Sequence, residues 1–451
     1  MSAPSLVWLR DDLRIADNPA LTTAAERGPV VVLYVLDEAS PGIRPLGGAS
    51  RWWLHGSLEA LGRDLAEHGV PLVLRRGAAA AVVPEVAAAV GAEAVFWNRR
   101  YGGAERDVDT TVKAGLRDSG LEVASFAASL LFEPWTVQTG AGTPFSVFTP
   151  FWNACRALPE PRHPLPAPEL AGADADAGDA LDAWNLRPAT PDWAGGLREL
   201  WTPGERGGRE QLEAFLRDDI DDYAGGRNTL GDRVTSRLSP HLRWGEVSPY
   251  QAWHAVSASG ADGESVARFL TELGWREFAA HVLYHFPDLA TRNWRSQFDA
   301  FPWRPLDEAK LRAWQRGRTG IAVVDAGMRE LWVTGTMHNR VRMITASFLT
   351  KNLLIDWRLG EQWFWDTLVD ADGASNPFNW QWVAGSGADA APYFRVFNPE
   401  LQAKKFDPDG AYVGRWAPEH LTGDGPEPIV DLGESRKAAL GAYEEMKRTG
   451  A

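Results

Sequence analysis

Residues 6–14 read Leu6-Val7-Trp8-Leu9-Arg10-Asp11-Asp12-Leu13-Arg14. A short apolar run that passes directly into charged residues is typical of a buried strand followed by a polar loop. In an open α/β sheet, the loop at the carboxyl end of the first strand is a place where ligands bind. No G-x-G-x-x-G sequence follows this strand, so the usual dinucleotide-binding fingerprint is absent.

The same pattern repeats through the first 130 residues. Short apolar runs alternate with helical patterns, which predicts a doubly wound parallel sheet. The predicted strands are Leu6–Leu9, Val30–Leu36, Pro71–Leu74, Ala94–Trp97 and Leu121–Phe126. The helices predicted between them are Trp52–His68, Ala78–Val90 and Glu105–Ser119.

The rest of the chain changes character twice. Residues 158–203 are rich in Pro, Ala and Asp, which is typical of a connector that crosses a protein surface. From Glu205 onward the spacing of apolar residues is helical. We therefore expect an α/β domain over 1–130, a connector over 131–204 and a large all-α domain over 205–451. The helices predicted in the last part are Val266–Tyr284, Leu306–Gln315, Ala322–Thr334, Asn339–Asp356 and Glu361–Leu368.

Composition excludes several classes of protein. The single cysteine, Cys155, excludes an internal disulfide framework and a CxxC metal site. We expect a cytoplasmic protein, because no signal peptide is recognisable and no apolar stretch reaches the length of a membrane span. The net charge of -14 argues against a protein that coats DNA. Lys and Arg nevertheless outnumber Asp and Glu between Tyr223 and Arg358, which fits either a nucleic-acid face or ordinary surface variation.

Three runs in the tryptophan-rich carboxyl-terminal half carry candidate chemistry. Residues three and four apart share a helix face, so Glu272, Trp275 and Arg276 point together, as do Asn339, Arg342 and Met343. An acid, an amide, cations and a stacking ring suit a planar cofactor facing a nucleobase. A solvated ion pair beside a core tryptophan is the alternative interpretation.

Asp370 and Asp372 form a close pair of acids in a loop that runs to Pro377. They fit a general acid/base pair, solvated loop acids, or an ion pair with Arg342. Further ligands at calcium-loop spacing are missing, so we expect no metal. Thr235-Ser236-Arg237-Leu238-Ser239 offers hydroxyls and backbone N–H groups before a helix start, which fits a phosphate cradle or simple helix caps.

Longer motifs resemble the photolyase/cryptochrome family. They are residues 6–14, Gly317-Arg318-Thr319-Gly320, Met337 to Met343, Trp380-Gln381-Trp382 and Pro392-Tyr393-Phe394-Arg395 to Asn398-Pro399. The runs 44–54 and 383–391 are similar to the class III cyclobutane photolyases, and Met337-His338-Asn339 differs from the paired histidines of 6-4 photolyases. The resemblance implies an α/β domain followed by a helical domain that holds FAD.

The resemblance also implies roles for individual residues. The FAD contacts would be Tyr223, Thr235, Ser236, Arg237, Leu238, Ser239, Arg342, Asp370, Asp372 and Asn376, with Asn376 facing the reactive nitrogen of the flavin ring. The pocket for a pyrimidine dimer would be Glu272, Trp275, Asn339, Met343 and Trp382. Trp380, Trp357 and Trp303 would relay electrons, and Arg227, Arg276, Arg340 and Gln402 would contact DNA. Glu105 would contact a 5,10-methenyltetrahydrofolate antenna, although Ala104 stands where the folate-binding pattern has Asn.

The implied activity is light-driven repair of cyclobutane pyrimidine dimers in UV-damaged DNA by a deoxyribodipyrimidine photo-lyase, which we expect to be a monomer. A blue-light receptor of the cryptochrome type is the first alternative. It is disfavoured because the four lesion residues Glu272, Trp275, Asn339 and Trp382 occur together and only a short stretch follows Asp407. A flavoprotein that binds damaged DNA without turnover is the second alternative.

Overall fold

The computed structural model describes residues 3–231, 234–390 and 394–449. Its amino-terminal part is built on five strands: β1 (Ser5–Leu9), β2 (Val30–Leu36), β3 (Leu72–Arg76), β4 (Ala94–Asn98) and β5 (Glu122–Phe126). All neighbouring strands are parallel, in the order β3-β2-β1-β4-β5. The predicted doubly wound sheet is therefore confirmed, with strand ends that shift by only one or two residues.

Helices pack on both faces of this sheet. They are α1 (Pro19–Arg27), α2 (Gly48–Glu67), α3 (Ala79–Ala89) and α4 (Gly103–Asp118). Sequence reasoning did not predict α1, whose start is nevertheless a standard one. The Asn18 side chain accepts a hydrogen bond from the Leu21 amide, and Pro19 occupies the first turn, where its missing N–H costs nothing.

The remainder is helical, as predicted from Glu205 onward, whereas α5 and α6 lie in the stretch predicted to be a connector. Its helices are α5 (Phe148–Arg156), α6 (Gly195–Leu200), α7 (Glu205–Asp218), α8 (Tyr223–Gly226), α9 (Ser239–Arg243), α10 (Pro249–Ser257), α11 (Gly263–His285), α12 (Glu308–Gln315), α13 (Ala322–Thr334), α14 (Asn339–Ser347), α15 (Trp357–Thr367), α16 (Ser375–Ala384), α17 (Pro399–Phe406), α18 (Ala411–Trp416), α19 (Glu419–Thr422) and α20 (Leu432–Thr449). Short 3-10 helices cover Leu181–Trp184 and Ser296–Ala300.

One helix prediction was wrong in extent. The single helix predicted over Asn339–Asp356 is α14 followed by a π-helical turn, Phe348–Asn352. Leu354 then has a φ of 53°, a left-handed conformation that ends the helical path. Asp356 caps the next helix, α15, by accepting from the Arg358 amide. A run of helix-forming residues does not reveal such a break, because it depends on how the turn packs.

The connector pairs with strands of the sheet and packs into the core of the α/β part. Gly172 and Gly178 form isolated parallel bridges with Val30 and Leu74. Trp184 and Trp201 are buried in the same hydrophobic cluster as the helices and strands of the α/β part. The Pro- and Ala-rich composition predicted an irregular segment. It did not predict that Trp184 and Trp201 would pack this segment into the core of the α/β part.

Direct contacts tie the loop after β1 to the helical part. The Arg14 guanidinium donates to the carbonyl oxygen of Gly245 at 2.8 Å. Gly245 has a φ of +64°, and a Cβ there would lie 2.2 Å from the carbonyl oxygen of Asp11, so only glycine fits. The carboxyl edge of the sheet therefore faces the helical part, and the space between them holds the candidate site.

The described residues contain no helix that is long and apolar enough to cross a membrane. Two of the quoted sequence motifs extend outside the described residues. The family motif does so at Pro392 and Tyr393, and the run 383–391 does so at Ala391.

Candidate active site

A cavity of about 860 Å³ lies between the α/β and helical parts, and we call it the central cavity. Its volume is within the range of about 300–1,000 Å³ that is usual for cofactor sites. Seventeen of the predicted site residues line it: Glu105, Tyr223, Arg227, Ser236, Ser239, Glu272, Trp275, Arg276, Asn339, Arg340, Arg342, Met343, Asp370, Asp372, Asn376, Trp380 and Trp382. Thr235, Arg237, Leu238, Trp303, Trp357 and Gln402 do not line it.

An ion pair between Arg342 and Asp370 stands in the wall of the cavity. The two terminal guanidinium nitrogens lie 3.1 and 2.9 Å from the two carboxylate oxygens, a bidentate geometry. Arg342 Nε also donates to the carbonyl oxygen of Met337 at 2.8 Å. Because Arg342 is on α14 and Asp370 follows α15, this side chain holds two separate segments together at the cavity.

Asp372 is held by backbone amides at the start of α16. Its Oδ1 accepts hydrogen bonds from the backbone amides of Ala374 and Ser375, at 2.8 and 2.6 Å. These amides belong to the first turn of α16, a helix that starts inside the stretch predicted to be a loop. This arrangement resembles a helix cap. Of the alternatives that the sequence left open, the ion pair with Arg342 is present, and it is formed by Asp370.

Asn376 is buried on α16 and is held by Glu361 of α15. Its Nδ2 donates to Glu361 Oε1 at 2.8 Å and to the Glu361 carbonyl oxygen at 3.0 Å. Both carboxylate oxygens of Glu361 also accept from Arg44, in the loop between β2 and α2, at 2.7 and 2.9 Å. The amide predicted to face the flavin is thus the end of a network that begins in the α/β part.

Only two residues of the run from Thr235 to Ser239 line the cavity. Ser236 and Ser239 line it, whereas Leu238 is buried in the core of the helical part. The Arg237 guanidinium lies over the ring of Trp201, 5.1 Å from its centroid. The hydroxyls of Ser236 and Ser239 are therefore the side-chain groups of this run that line the central cavity.

Glu272 of α11 forms an ion pair with Arg227, with 2.6 Å between oxygen and nitrogen. The helix face predicted for Glu272 and Trp275 is correct, since both line the cavity. Trp275 stacks on Phe148 of α5, with ring centroids 3.7 Å apart and planes 9° from parallel. One face of the indole is thus occupied by protein, which holds the ring in a fixed plane.

Residues at the start of α14 complete this wall. Arg340 donates to Asn228 Oδ1 at 2.8 Å and lies 3.7 Å from the Met343 sulfur. Burial lowers the pKa of His338 to about 4, so its ring is neutral at pH 7. Nε2 then donates to the Arg227 carbonyl oxygen at 3.0 Å, and Nδ1 accepts from the Arg340 amide. His338 therefore joins the segment that carries Arg227 to the helix that carries Asn339, Arg342 and Met343.

Arg276 is bound to the protein itself. Its Nη1 donates to the carbonyl oxygen of Ser129 at 2.7 Å and lies 3.4 Å from Glu277 Oε1. Glu277 is buried, accepts from the Phe132 amide at 3.1 Å, and thereby fixes α11 against the segment that follows β5. A DNA contact by Arg276 would have to use the nitrogens that these bonds leave free.

The buried Glu277 carboxyl predicts a pH-dependent stability. Burial raises its pKa to about 7 from an ordinary value of 4.5, so the folded state favours the protonated acid. That contribution is complete below pH 4.5 and is lost as the pH rises through 7, and a shift of this size corresponds to about 3 kcal/mol. We expect Glu277→Gln to gain stability relative to the wild type between pH 5 and pH 8, measured by denaturant unfolding. Parallel pH profiles of the two proteins would exclude this role.

The predicted electron-relay tryptophans occupy one core cluster of the helical part. Trp380 and Trp357 are buried in it, and Trp303 packs against it with part of its surface exposed. A Cβ at position 360 would lie 2.1 Å from the Trp380 ring, so Gly360 allows α15 to approach α16 closely. Trp382, which also lies on α16 and lines the central cavity, donates to the Asp389 carbonyl oxygen at 3.0 Å.

Gln402 lies on α17, away from the lining of the central cavity. A DNA contact by Gln402 would therefore lie outside the central cavity. Across the described residues, no group of three or more His, Cys, Asp or Glu side chains is placed to hold a metal ion.

Two parts of the chain match known families. Residues 5–169 match the family described as DNA photolyase, and residues 269–423 match the FAD binding domain of DNA photolyase. A deoxyribodipyrimidine photo-lyase from Agrobacterium fabrum is 47% identical and is aligned over 99% of each chain. The chain belongs to the DNA photolyase family.

Solved structures and plant relatives agree with this assignment. The crystal structure of a bacterial class III photolyase from Agrobacterium tumefaciens has a TM-score of 0.95 and 47% identity, covering 99% of this chain and 98% of that one. Cryptochrome-1 from Arabidopsis thaliana is 35% identical over 98% of this chain and 69% of that protein. The predicted family, the fold class and FAD as cofactor are confirmed.

The central cavity fits FAD in chemistry as well as in volume. The Arg342–Asp370 pair and the hydroxyls of Ser236 and Ser239 provide polar groups, and Trp380 and Trp382 provide flat apolar walls. The Nε atom of Arg340 is buried without a protein partner. Because Arg340 lines the central cavity, this N–H group could donate to a polar group of a ligand.

Sequence reasoning missed several residues of this site. Glu361 and Phe148 each hold a predicted site residue, and Arg44 holds Glu361, but none of the three carries a local signal. Asp11 was placed at a binding edge, yet its pairing with Arg243 at 2.7 Å was not foreseen. Burial would raise the pKa of Asp11, but Arg243 and Arg100 outweigh it and lower that pKa. These contacts join residues far apart in sequence, so only the folded chain reveals them.

Proposed function

We propose that this protein repairs cyclobutane pyrimidine dimers in DNA when it absorbs blue light. The observation that carries the proposal is the placement of Glu272, Trp275, Asn339, Met343 and Trp382 on the same cavity as the FAD-binding residues. When bound and reduced, FAD supplies the electron that opens the cyclobutane ring, and the protein supplies orientation and electrostatics. A lesion held by these side chains would lie directly beside the cofactor.

The cavity can accept a flipped-out dimer only if the protein offsets the cost of extruding it. Photolyases extrude their target base from the duplex, which costs a few kcal/mol and costs least for damaged bases. Stacking on Trp275 and Trp382 would return about 1–3 kcal/mol per base. Trp275 is prepared for this by Phe148, which supports one face of its ring.

Positive side chains at the cavity would hold the DNA strand. Arg227 and Arg340 line the cavity on neighbouring segments, and Gln402 lies further out on α17. Contacts of this kind to phosphates fix the position of the strand without reading its sequence. The acidic net charge of -14 keeps this binding confined to the local basic region.

The decisive experiment is illumination of the reduced protein with an oligonucleotide that contains one thymine dimer. We expect recovery of the two monomers under blue light, measured by chromatography, and none in the dark. Binding of the oligonucleotide without light-dependent monomer formation would exclude repair and favour a binding module. A cryptochrome-type receptor would give neither repair nor preferential binding of the damaged strand.

We further propose that Trp380, Trp357 and Trp303 carry electrons to the oxidised cofactor from the protein surface. Their shared core cluster supports this route. We expect Trp357→Phe to slow light-driven reduction of bound oxidised FAD at least tenfold, followed by absorbance at 450 nm. Repair by chemically reduced protein should stay within twofold of the wild type. Trp184→Phe, which alters a buried tryptophan of the α/β part, serves as the control. Equal reduction rates in both variants would rule the route out.

An antenna site is proposed at the α/β wall of the cavity. Glu105 lines it in the first turn of α4, beside Arg100, whose buried Nε has no protein partner. This combination suits a ligand with both donor and acceptor groups, such as 5,10-methenyltetrahydrofolate. The absorption spectrum of the purified protein would then contain a near-ultraviolet band besides the flavin bands.

The proposal also covers the domain organisation, the oligomeric state and the location of the protein. Residues 1–130 would form the antenna side, 131–204 the connector, and 205–451 the FAD- and DNA-binding part. We propose that the protein acts as a monomer in the cytoplasm. Light scattering on the purified FAD-bound protein tests the first of these two statements, since a dimer would double the mass of 49.5 kDa.

A further inference from the structure

We propose that Arg44 is a positioning residue that sets the direction of the Asn376 amide through Glu361. This inference rests on the proposed placement of Asn376 beside the flavin ring. Arg44 lies outside the helical part, in the loop between β2 and α2. It would therefore let the α/β part influence which redox state of the cofactor the site favours.

Arg44 and Glu361 are joined closely. The two terminal guanidinium nitrogens lie 2.7 and 2.9 Å from the two carboxylate oxygens. The Glu361 side chain is 1% exposed and that of Arg44 is 31% exposed, so the arginine covers the acid from the solvent side. The guanidinium also lies 4.0 Å from the centroid of Trp365, whose Nε1 donates to the Pro45 carbonyl oxygen at 2.9 Å. The loop is thus attached to α15 at two points.

Glu361 in turn determines how Asn376 is oriented. An ionised carboxylate only accepts hydrogen bonds, and a bidentate guanidinium stabilises the ionised form. The Asn376 Nδ2 group therefore turns toward Glu361, where it meets Oε1 at 2.8 Å and the carbonyl oxygen at 3.0 Å. Both N–H bonds of the amide are used in this way. The Asn376 oxygen is the atom left to meet a ligand in the central cavity.

An oxygen acceptor at this position discriminates between redox states. The reactive ring nitrogen carries a hydrogen in reduced flavin and lacks one in oxidised flavin. The Asn376 oxygen would accept from the N–H group of reduced flavin, whereas oxidised flavin would offer it no donor. If Arg44 were absent, Glu361 would be a buried acid without its cation, and the amide direction would no longer be enforced. Reduced FAD would lose its preferred partner.

The test compares the midpoint potential of bound FAD in Arg44→Ala, Arg44→Lys and Glu361→Gln with that of the wild type. We expect Arg44→Ala and Glu361→Gln to lower the ratio of reduced to oxidised FAD about tenfold, which is about 30 mV for a two-electron couple. Arg44→Lys should recover part of this loss, because it keeps the charge but not the bidentate geometry. Arg51→Ala is the matched control, since Arg51 is 29% exposed, bonds the same loop at Leu46, and pairs with Glu38 instead.

A double variant separates positioning from general damage. If Arg44 acts through Glu361, the potential of Arg44→Ala/Glu361→Gln should equal that of Glu361→Gln alone. Additive shifts, or unchanged potentials in all variants, would overturn the proposal. Loss of FAD from all three single variants while Arg51→Ala retains it would assign these residues to cofactor binding and would also overturn it. The measurement uses no DNA, so failure to repair a dimer rejects the proposed function and leaves this result standing.

Discussion

Replacing Arg342 by alanine should destabilise the protein by about 3–5 kcal/mol and release most of its FAD. Arg342 makes two hydrogen bonds to Asp370, a carboxylate that is almost completely buried, and a third to the Met337 carbonyl oxygen. Without the guanidinium, Asp370 would be a buried negative charge with no cation. The start of α14 and the segment after α15 would also lose their link at the cavity wall.

Two measurements check this expectation. The ratio of flavin to protein absorbance in the purified variant reports FAD retention, and denaturant unfolding reports stability. The matched control is Arg312→Ala, which breaks an exposed pair with Glu308 and should change stability by less than about 1 kcal/mol. An Arg342→Ala protein of normal colour and normal stability would show that the pair contributes nothing to the site.

Replacing Glu272 by alanine should slow repair by about tenfold to a hundredfold while leaving damaged DNA bound. A hydrogen bond that involves a charged group contributes about 1.5–3 kcal/mol, which sets this range. DNA binding should survive, because Glu272 is the ion-pair partner of Arg227. Removal of the acid frees a cation at the cavity, and a free cation attracts phosphate.

The comparison of rate with affinity makes this prediction specific. Repair per absorbed photon is measured with saturating oligonucleotide, and the dissociation constant is measured in the dark at fixed salt. Glu272→Gln should retain more activity than Glu272→Ala, since the amide oxygen can still accept a hydrogen bond from an N–H group of the base. Glu264→Ala, an exposed acid of the same helix, is the control and should match the wild type in both measurements. Equal losses of rate and affinity in Glu272→Ala would instead assign Glu272 to binding alone.

The sequence predicts those parts of the site that depend on the local geometry of a single helix or strand. The i, i+3 spacing placed Glu272 and Trp275 on one face of α11, and both line the cavity. Alternation of strands and helices predicted the parallel sheet, and the Arg10–Arg14 loop was placed correctly at its binding edge. The sequence left the role of Asp372 open, because a carboxylate that accepts from backbone amides at a helix start looks the same in sequence as one that does chemistry.

The sequence by itself determined the five strands of the α/β part, the helical character from Glu205 onward, the family, and which candidate side chains share a face of α11 or α14. These depend on spacings of two to four residues and on motifs that are contiguous in the chain. Only the tertiary structure decided that Phe148 supports Trp275, that Arg227 holds Glu272, and that Arg44 reaches Asn376 through Glu361. Arg44 and Glu361 are 317 residues apart, and no local rule relates them. Their contact exists because two parts of the fold bury polar groups against each other, and each such group needs a partner.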